Sequence, residues 1–467
     1  KVKNKIILFL PLIGAVFSGC YYVFSASSSS LNILLISIDS LRADHLGCYG
    51  YGRNTSPRID RLAREGVVFK NTVSTTSWTL PAHMSLFTSM DIGVHGVFGD
   101  GLSLHKNLGS LTEVLQRNGY RTAGFVSSPY MNPAFGFERG FDLYHNIDLD
   151  DPDFENTVTP PQVQRDAVHS DITSPRITEL ALDWLEENRK EKFFLFLHMW
   201  DVHYDYIPPP PYNTKYDPDY DGEIDGKGYI HNPRVHPKMD RRDLNHIIAL
   251  YDGEIAFVDH HIGRIISQLK EWEILDKTLV VITADHGDEF FEHGGKGHRN
   301  TLYDEVVMVP LIFRCTGVVS AGEMVDEQVS IIDIAPTVLK LCGLDPPAWM
   351  QGVALLPSRG REESVKDRPA LLELDLGLKG LRTNAYKLLF NTRALQTIIF
   401  NLIRGPEETY QHLITDPESW TRINRRFYDR LASNRRKAQK YRSGERGEPV
   451  QLSREENEKL KSLGYIE

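Results

Sequence analysis

The sequence predicts an α/β protein with a mostly parallel central sheet flanked by helices, followed by a smaller C-terminal α+β subdomain. Three observations predict it. Continuous apolar runs of strand length, such as Leu31 to Ile38 and Thr278 to Thr283, have the composition of strands covered on both faces. Helical patterns lie between such runs, and strand alternating with helix is the mark of parallel crossover units. From about Arg368 the texture changes to short strands and a basic helix.

In chain order, residues 1–20 read as a targeting segment. Lys1, Lys3 and Lys5 precede an apolar stretch from Ile6 to Phe17, and Phe17-Ser18-Gly19-Cys20 resembles a bacterial lipoprotein box with Cys20 as the lipidated residue. Apolar character continues to Phe24, long enough to span a bilayer, so an uncleaved anchor stays open. Lysines on the leading side put the body outside. Both readings expect an exported body, periplasmic or tethered to the outer face of a bacterial membrane, with residues 21–30 as a serine-rich linker.

The strands expected next are Leu31 to Ile38, Thr122 to Val126, Phe193 to His198, Thr278 to Thr283 and Leu311 to Arg314. The helices are Ser56 to Glu65 with its Ser-Pro start, Leu108 to Asn118 before Gly119, Ser174 to Arg189 with a Ser cap and Pro175 at its first position, and the long amphipathic Asp240 to Glu271. These elements make up a catalytic domain over 31–365, with the subdomain over 366–467. Two long segments, 148–173 and 207–238, have no apolar period; flanking Asp201-Val202-His203, they are expected to shape the substrate mouth. In the subdomain, Pro369 to Leu374 and Lys387 to Phe390 read as strands around a turn at Asn384, 420–443 as a basic helix, and Ser453 to Leu463 as a capped helix. No internal repeat is present.

With 467 residues, 41% of them hydrophobic and 25% charged, the chain can bury a large core. Its net charge of −10 argues against a general nucleic-acid surface. An anionic substrate must therefore be drawn in by a local site. Cys20, Cys48, Cys315 and Cys342 form no Cys-x-x-Cys pair, and without Cys20 an odd three remain, so no disulfide framework is expected, though one pair stays open.

Chemistry concentrates in three places. Asp39 ends the first apolar run, where an unpartnered carboxylate is costly and a cation relieves the cost; alone, it reads as a cap on the turn before Leu41. Asp285 and His286 end the 278–283 run, and both can face one ion only where the strand breaks, which Gly287 permits; alone, Asp-His-Gly reads as a turn. Thr79 lies two residues before Pro81 at the start of a helix, where free N–H groups favour an anion, and His83 lies one turn on; alone, Thr79 reads as a helix cap. Oxygen and nitrogen ligands beside a hydroxyl are what a divalent metal needs to drive attack on an anionic ester.

In that order these segments resemble the sulfatase family of the alkaline-phosphatase superfamily. The resemblance runs from about residue 31 to the end of the chain. It also rests on Asp91 to Val97, Asp201-Val202-His203, Gly297 to Glu305 and Val309 to Ile312, and Glu408 to Glu418 resembles the hairpin and turn that close the family's C-terminal subdomain. The resemblance implies an ester hydrolase with Thr79, His203 and His298 as catalytic residues. Asp39, Thr79, Asp285 and His286 would bind one divalent ion (calcium, manganese or zinc). His83 and Arg299 would bind the anion, with His95 as a further pocket residue. A second metal would need about three more ligands, which Asp201, His203, Asp205 and His298 could supply. The partner is an anionic ester of a glycan, lipid or small molecule; the membrane is met only through the N-terminus, and no nucleic acid is expected.

Three positions depart from the family's pattern. Thr79 stands where type I members carry the Cys or Ser that becomes formylglycine, His83 stands in place of Arg, and Ser40 in place of a second Asp. A threonine cannot give the aldehyde that expels sulfate, so its adduct must be released by water or by another alcohol. Sulfate and phosphate are thus both open as substrates. A phosphoethanolamine-type transferase and an inactive protein that binds anionic glycans are the alternatives.

Overall fold

Asn32–Ile38 (β1) is a fully buried apolar strand at the centre of the molecule. Behind it come helix α1 (Pro57–Arg64), β2 (Val67–Phe69) and the buried helix α2 (Thr79–Thr88). Then follow α3 (Leu111–Arg117), β3 (Arg121–Val126), β4 (Leu143–Asn146), α4 (Ser174–Asn188) and β5 (Phe193–Met199). The domain continues through α5 (Arg241–Glu271), β6 (Thr278–Ala284), β7 (Leu311–Arg314) and β8 (Glu323–Val325). The computed structural model describes residues 31–99, 101–147, 172–356, 368–443, 448–450, 452 and 460. The expected targeting segment and linker, nearly all of the 148–173 loop and most of the 453–463 helix lie outside the described residues.

The strands form one sheet in the order β8-β2-β7-β6-β1-β5-β3-β4. Only β7 runs against its neighbours, so the mostly parallel α/β architecture read from the apolar runs is what the structure has. Helix starts differ from expectation for local reasons. Helix α3 begins at Leu111, because Ser110 and Glu113 close a capping box there. Ser174 is the first residue of α4 and not its cap, because its hydroxyl and those of its neighbours turn to Asp201.

Helix α5 ties the segment after β1 in place. Tyr251 donates to the Ser40 carbonyl at 2.8 Å and accepts from the Arg42 N–H at 2.9 Å, while Asp259 accepts from the backbone of Arg58 and Ile59. In the C-terminal part, β9 (Ala370–Leu374), β10 (Leu378–Arg382), β11 (Tyr386–Asn391) and β12 (Gln396–Asn401) make an antiparallel meander. The basic helix α6 (Pro417–Arg442) covers it, with Ile423 and Phe427 in a second core beside Leu381, Leu388 and Ile399. The expected closing hairpin is reduced to a single bridge between Phe400 and Leu413. Cys48, Cys315 and Cys342 are free thiols. Among the described residues no helix is long and apolar enough to cross a membrane.

Candidate active site

Strand register sets the site. β1 and β6 are parallel neighbours with Ile38 opposite Ala284, so the next residues, Asp39 and Asp285, emerge together at the carboxyl edge of the sheet. There the chain turns sharply: Ser40 adopts a left-handed φ of 54°. Its N–H reaches Asp285 Oδ1 at 3.3 Å and its hydroxyl donates to Asp39 Oδ1 at 3.0 Å. Gly287 lets the other strand break, because a Cβ there would lie 2.3 Å from the Glu305 carbonyl oxygen. That break allows His286 to share a face with Asp285.

Thr79 is the first residue of α2, after Trp78 at the cap position, and its hydroxyl does not cap the helix. It sits 3.4 Å from Asp39 Oδ2 and 3.2 Å from His286 Nε2. Asp39, Thr79, Asp285 and His286 are thus brought together, all of them buried. Burial pushes the Asp39 carboxyl up to about 6. It raises Asp285 as well, and the neighbouring Asp39 charge adds to that rise. Burial opposes a charged His286, but Asp285, Asp39 and Asp288 outweigh it and raise the imidazole's pKa. Asp285 Oδ2 accepts no hydrogen bond. Two buried carboxylates, one with an idle oxygen, beside an imidazole and a hydroxyl fit a divalent cation.

His83 lies beneath this group. Its Nδ1–H donates to the Thr79 carbonyl at 3.0 Å and its Nε2 accepts from Ser37 Oγ at 2.9 Å, so both ring nitrogens are engaged by the floor of the site. Burial lowers its pKa to about 4. His198 on β5, missed in the sequence reading, sits opposite Ser37 in the sheet with Nε2 3.2 Å from Asp39 Oδ2. The available signal was a lone imidazole ending an otherwise apolar strand.

His203 and His298 face each other across 4.8 Å, ring centre to ring centre, and His298 lies 4.3 Å from His286. The His203 Nδ1–H donates to the Tyr204 carbonyl at 2.6 Å. His298 Nδ1 lies 2.7 Å from Asp288, a buried carboxylate that also accepts from Tyr206. Burial raises Asp288 to about 6 and takes His298 well below the usual histidine range. Asp288 itself is fully buried and bonded to a site histidine. Arg299 stacks on Trp78 at 3.9 Å and reaches Tyr130 and Asp375. Its N–H is bonded to the Ser77 carbonyl at 2.8 Å, which stitches this loop to the start of α2.

The structure corrects the remaining candidates. Asp201 accepts from the backbone and hydroxyls of Thr173 and Ser174 at the start of α4, and Asp205 accepts from the N–H groups of Gly228 and Tyr229. Neither carboxylate is available to a second metal. His95 is buried behind α2, bonded to Ser85 Oγ and the Val97 N–H, and is no pocket residue.

Comparison with known proteins follows the same lines. The sulfatase family model matches residues 31–344, and that of the N-sulphoglucosamine sulphohydrolase C-terminal region matches 292–437. The multifunctional alkaline phosphatase superfamily protein PehA of Trinickia caryophylli is 28% identical over 70% of this chain and 76% of its own length. The N-acetylglucosamine-6-O-sulfatase of Bacteroides thetaiotaomicron is 24% identical over 76% of this chain and 75% of its own. The crystal structure of the phosphonate monoester hydrolase of Agrobacterium radiobacter superposes with a TM-score of 0.68 at 23% identity, covering 87% of this chain and 96% of the other, and so shares the fold.

Proposed function

This chain belongs to the sulfatase family and is a hydrolase of sulfuric or phosphoric esters; on that premise we propose that Thr79 is its nucleophile and that one divalent ion serves it. The observation that carries the reading is the Thr79 hydroxyl, which leaves its helix uncapped to stand between Asp39 and His286. Asp39, Asp285, His286 and the Thr79 hydroxyl would hold the ion, which supplies Lewis acidity at the ester and lowers the pKa of the hydroxyl. Thr79 Oγ1, its proton given up to solvent, bonds to the central sulfur or phosphorus as the bond from that atom to the ester oxygen breaks; the ester oxygen departs as the alcohol with a proton from His203, which regains one from solvent. Arg299 provides a fixed positive charge near the start of α2. His83 holds that start by its bond to the Thr79 carbonyl. A secondary alcohol cannot collapse to an aldehyde, so water must attack the adduct at its central atom.

The name of the N-acetylglucosamine-6-O-sulfatase relative supports a sulfated sugar as the ester. The basic, apolar and cysteine-ended start of the sequence supports an exported, tethered body. A shift of the protein from the membrane to the soluble fraction on Cys20→Ser substitution checks that point.

The deciding experiment compares hydrolysis of aryl sulfate, phosphate monoester and phosphate diester by the wild type and Thr79→Ala, with calcium, manganese or zinc added. Turnover lost in Thr79→Ala supports the reading, and the ester preferred tells sulfate from phosphate. Turnover retained by Thr79→Ala refutes it. Transfer to an added alcohol in preference to water identifies a transferase. Cation binding without turnover of any ester identifies a binding protein.

A further inference from the structure

A threonine nucleophile creates a requirement that an aldehyde-forming one does not: a group that takes a proton from the water releasing the adduct. One buried set of side chains, packed against the His286 ring that stands 3.2 Å from the Thr79 hydroxyl, has the build for it. The Asp288 carboxylate accepts from Tyr206 Oη at 2.5 Å on one oxygen and lies 2.7 Å from His298 Nδ1 on the other. A carboxylate in that position selects the tautomer with the proton on Nδ1 and leaves Nε2 as the acceptor on the opposite edge of the ring. The ring cannot turn, being packed between His286 at 4.3 Å, His203 at 4.8 Å and Tyr204 at 5.0 Å. The loop carrying it is fastened to the nucleophile's own segment: the Arg299 N–H donates to the Ser77 carbonyl at 2.8 Å and Ser77 Oγ donates to the Thr301 carbonyl at 2.7 Å. Asp288 is in turn fixed by its backbone, whose carbonyl accepts from Arg42 at 3.0 Å.

We infer that Asp288 is a positioning residue for the second half of the reaction: it holds His298 so that Nε2 receives the proton of the water that breaks the Thr79 adduct. This inference rests on the Thr79 reading above. The step balances without an added reactant. The water oxygen forms a bond to the central phosphorus or sulfur, the bond from that atom to Thr79 Oγ1 breaks, and the water's proton passes to His298 Nε2. It returns from there to Oγ1 as the inorganic anion leaves. Tyr206 steadies Asp288 and acts one step further out.

The test uses the cation-loaded full chain and an aryl ester with a good leaving group, whose departure needs no acid, so that release of the aryl alcohol reports the first step and steady turnover the second. Asp288→Asn keeps the shape but removes the charge and one of the two acceptor oxygens, so the side chain can no longer accept from both Tyr206 and the His298 Nδ1–H. It is expected to leave the first-turnover burst within about threefold of wild type. Steady turnover should slow at least about tenfold, and the stalled protein should gain the mass of the transferred group on Thr79. Tyr206→Phe, which removes one hydrogen bond and no charge, is expected to slow steady turnover about two- to fivefold with the same partial accumulation, and it carries the test if Asp288→Asn fails to fold. Equal slowing of burst and steady turnover, with no adduct in either variant, overturns the inference. So does loss of a bound cation equivalent in Asp288→Asn, which would make His298 the ligand of a second ion. Thr79→Ala separates the two levels: turnover surviving in that variant defeats the nucleophile itself, whereas turnover lost there, together with an adduct-free Asp288→Asn, defeats only the role of Asp288.

Discussion

Two clusters of buried charge in this molecule are built in opposite ways. Where the C-terminal meander meets the main domain, Asp304 lies 2.7 Å from Arg382 and 2.8 Å from Lys387, and Glu408 lies 2.9 Å from the same lysine. Every charge there has an opposite charge against it, although Lys387 is fully buried. At the strand ends, Asp39, Asp285 and Asp288 are just as buried, yet their side-chain neighbours are imidazoles and hydroxyls. The first cluster is complete as it stands and holds two parts of the chain together. The second is incomplete, and a cation would complete it. Burial of carboxylates alone therefore does not mark a site; burial without a protein counter-charge does.

The largest difference should appear in opposite phenotypes. Thr79→Ala is expected to cut turnover by at least about 10³-fold while leaving the melting temperature close to wild type and weakening cation binding less than the loss of a carboxylate ligand does. Thr79→Ser, which keeps a hydroxyl, should retain activity within about tenfold of wild type. Asp304→Asn should do the reverse. It takes from the buried Arg382 its carboxylate partner, leaves Lys387 with Glu408 alone, and is expected to destabilise the chain by about 3–5 kcal/mol in urea titration, with cation affinity unchanged in the fraction that remains folded. A stable Asp304→Asn protein beside an unfolded Thr79→Ala protein would break the comparison outright.

Removing a carboxylate from the open cluster tests the same point from the other side. Asp39→Asn is expected to weaken cation binding at least about a hundredfold, on the order of 3 kcal/mol, yet to leave the cation-free melting temperature equal or higher, because an uncompensated buried charge has gone. The pH dependence has a definite sign. Asp39 is raised from 3.8 to about 6 in the cation-free fold. That shift contributes stability that is fully present below about 3.8 and lost as the pH rises through about 6. The cation competes for the same oxygen, so its affinity should climb as the pH rises through about 6, and it should go on climbing above that as His286, whose pKa is raised, gives up its proton. Calorimetric titration at several pH values reads this directly, and a flat profile would mean that Asp39 is no ligand.

The sequence carried more of the first-order layout than of the supporting contacts. β1, β3, β5, β6 and β7 were legible because a strand buried on both faces is apolar throughout, and the sheet order then places Asp39 and Asp285 side by side. β10 and β12 were not, since Leu378–Arg382 and Gln396–Asn401 carry too few apolar residues, in no regular period, to stand out from a loop. In the site, residues adjacent to strand ends could be named. Partners distant in sequence could not: Tyr206 on Asp288 and His198 on Asp39 meet only through the sheet and the long 207–238 loop. Asp201 shows the converse, an acidic residue in a family-like motif whose oxygens are occupied by a helix start.

The smallest expected effect lies inside the closed cluster and sharpens what closed means. Burial would raise both of its carboxylates, but Arg382 and Lys387 outweigh it at Asp304 and hold that group well below the usual range. Glu408, left with a share of one lysine and the Asp304 N–H at 2.6 Å, is raised from 4.5 to about 7. Its contribution to stability is fully present below about 4.5 and is lost as the pH rises through about 7. A neutral amide lacks that dependence. Glu408→Gln is therefore expected to differ from wild type by no more than about 1 kcal/mol near neutral pH. As the pH is raised from about 5 to about 8, wild type should lose stability relative to the variant. Urea titrations of both proteins across that range measure it. A large, pH-independent loss in Glu408→Gln would show that Lys387 divides its charge equally between the two carboxylates, and that the cluster needs both of them ionised.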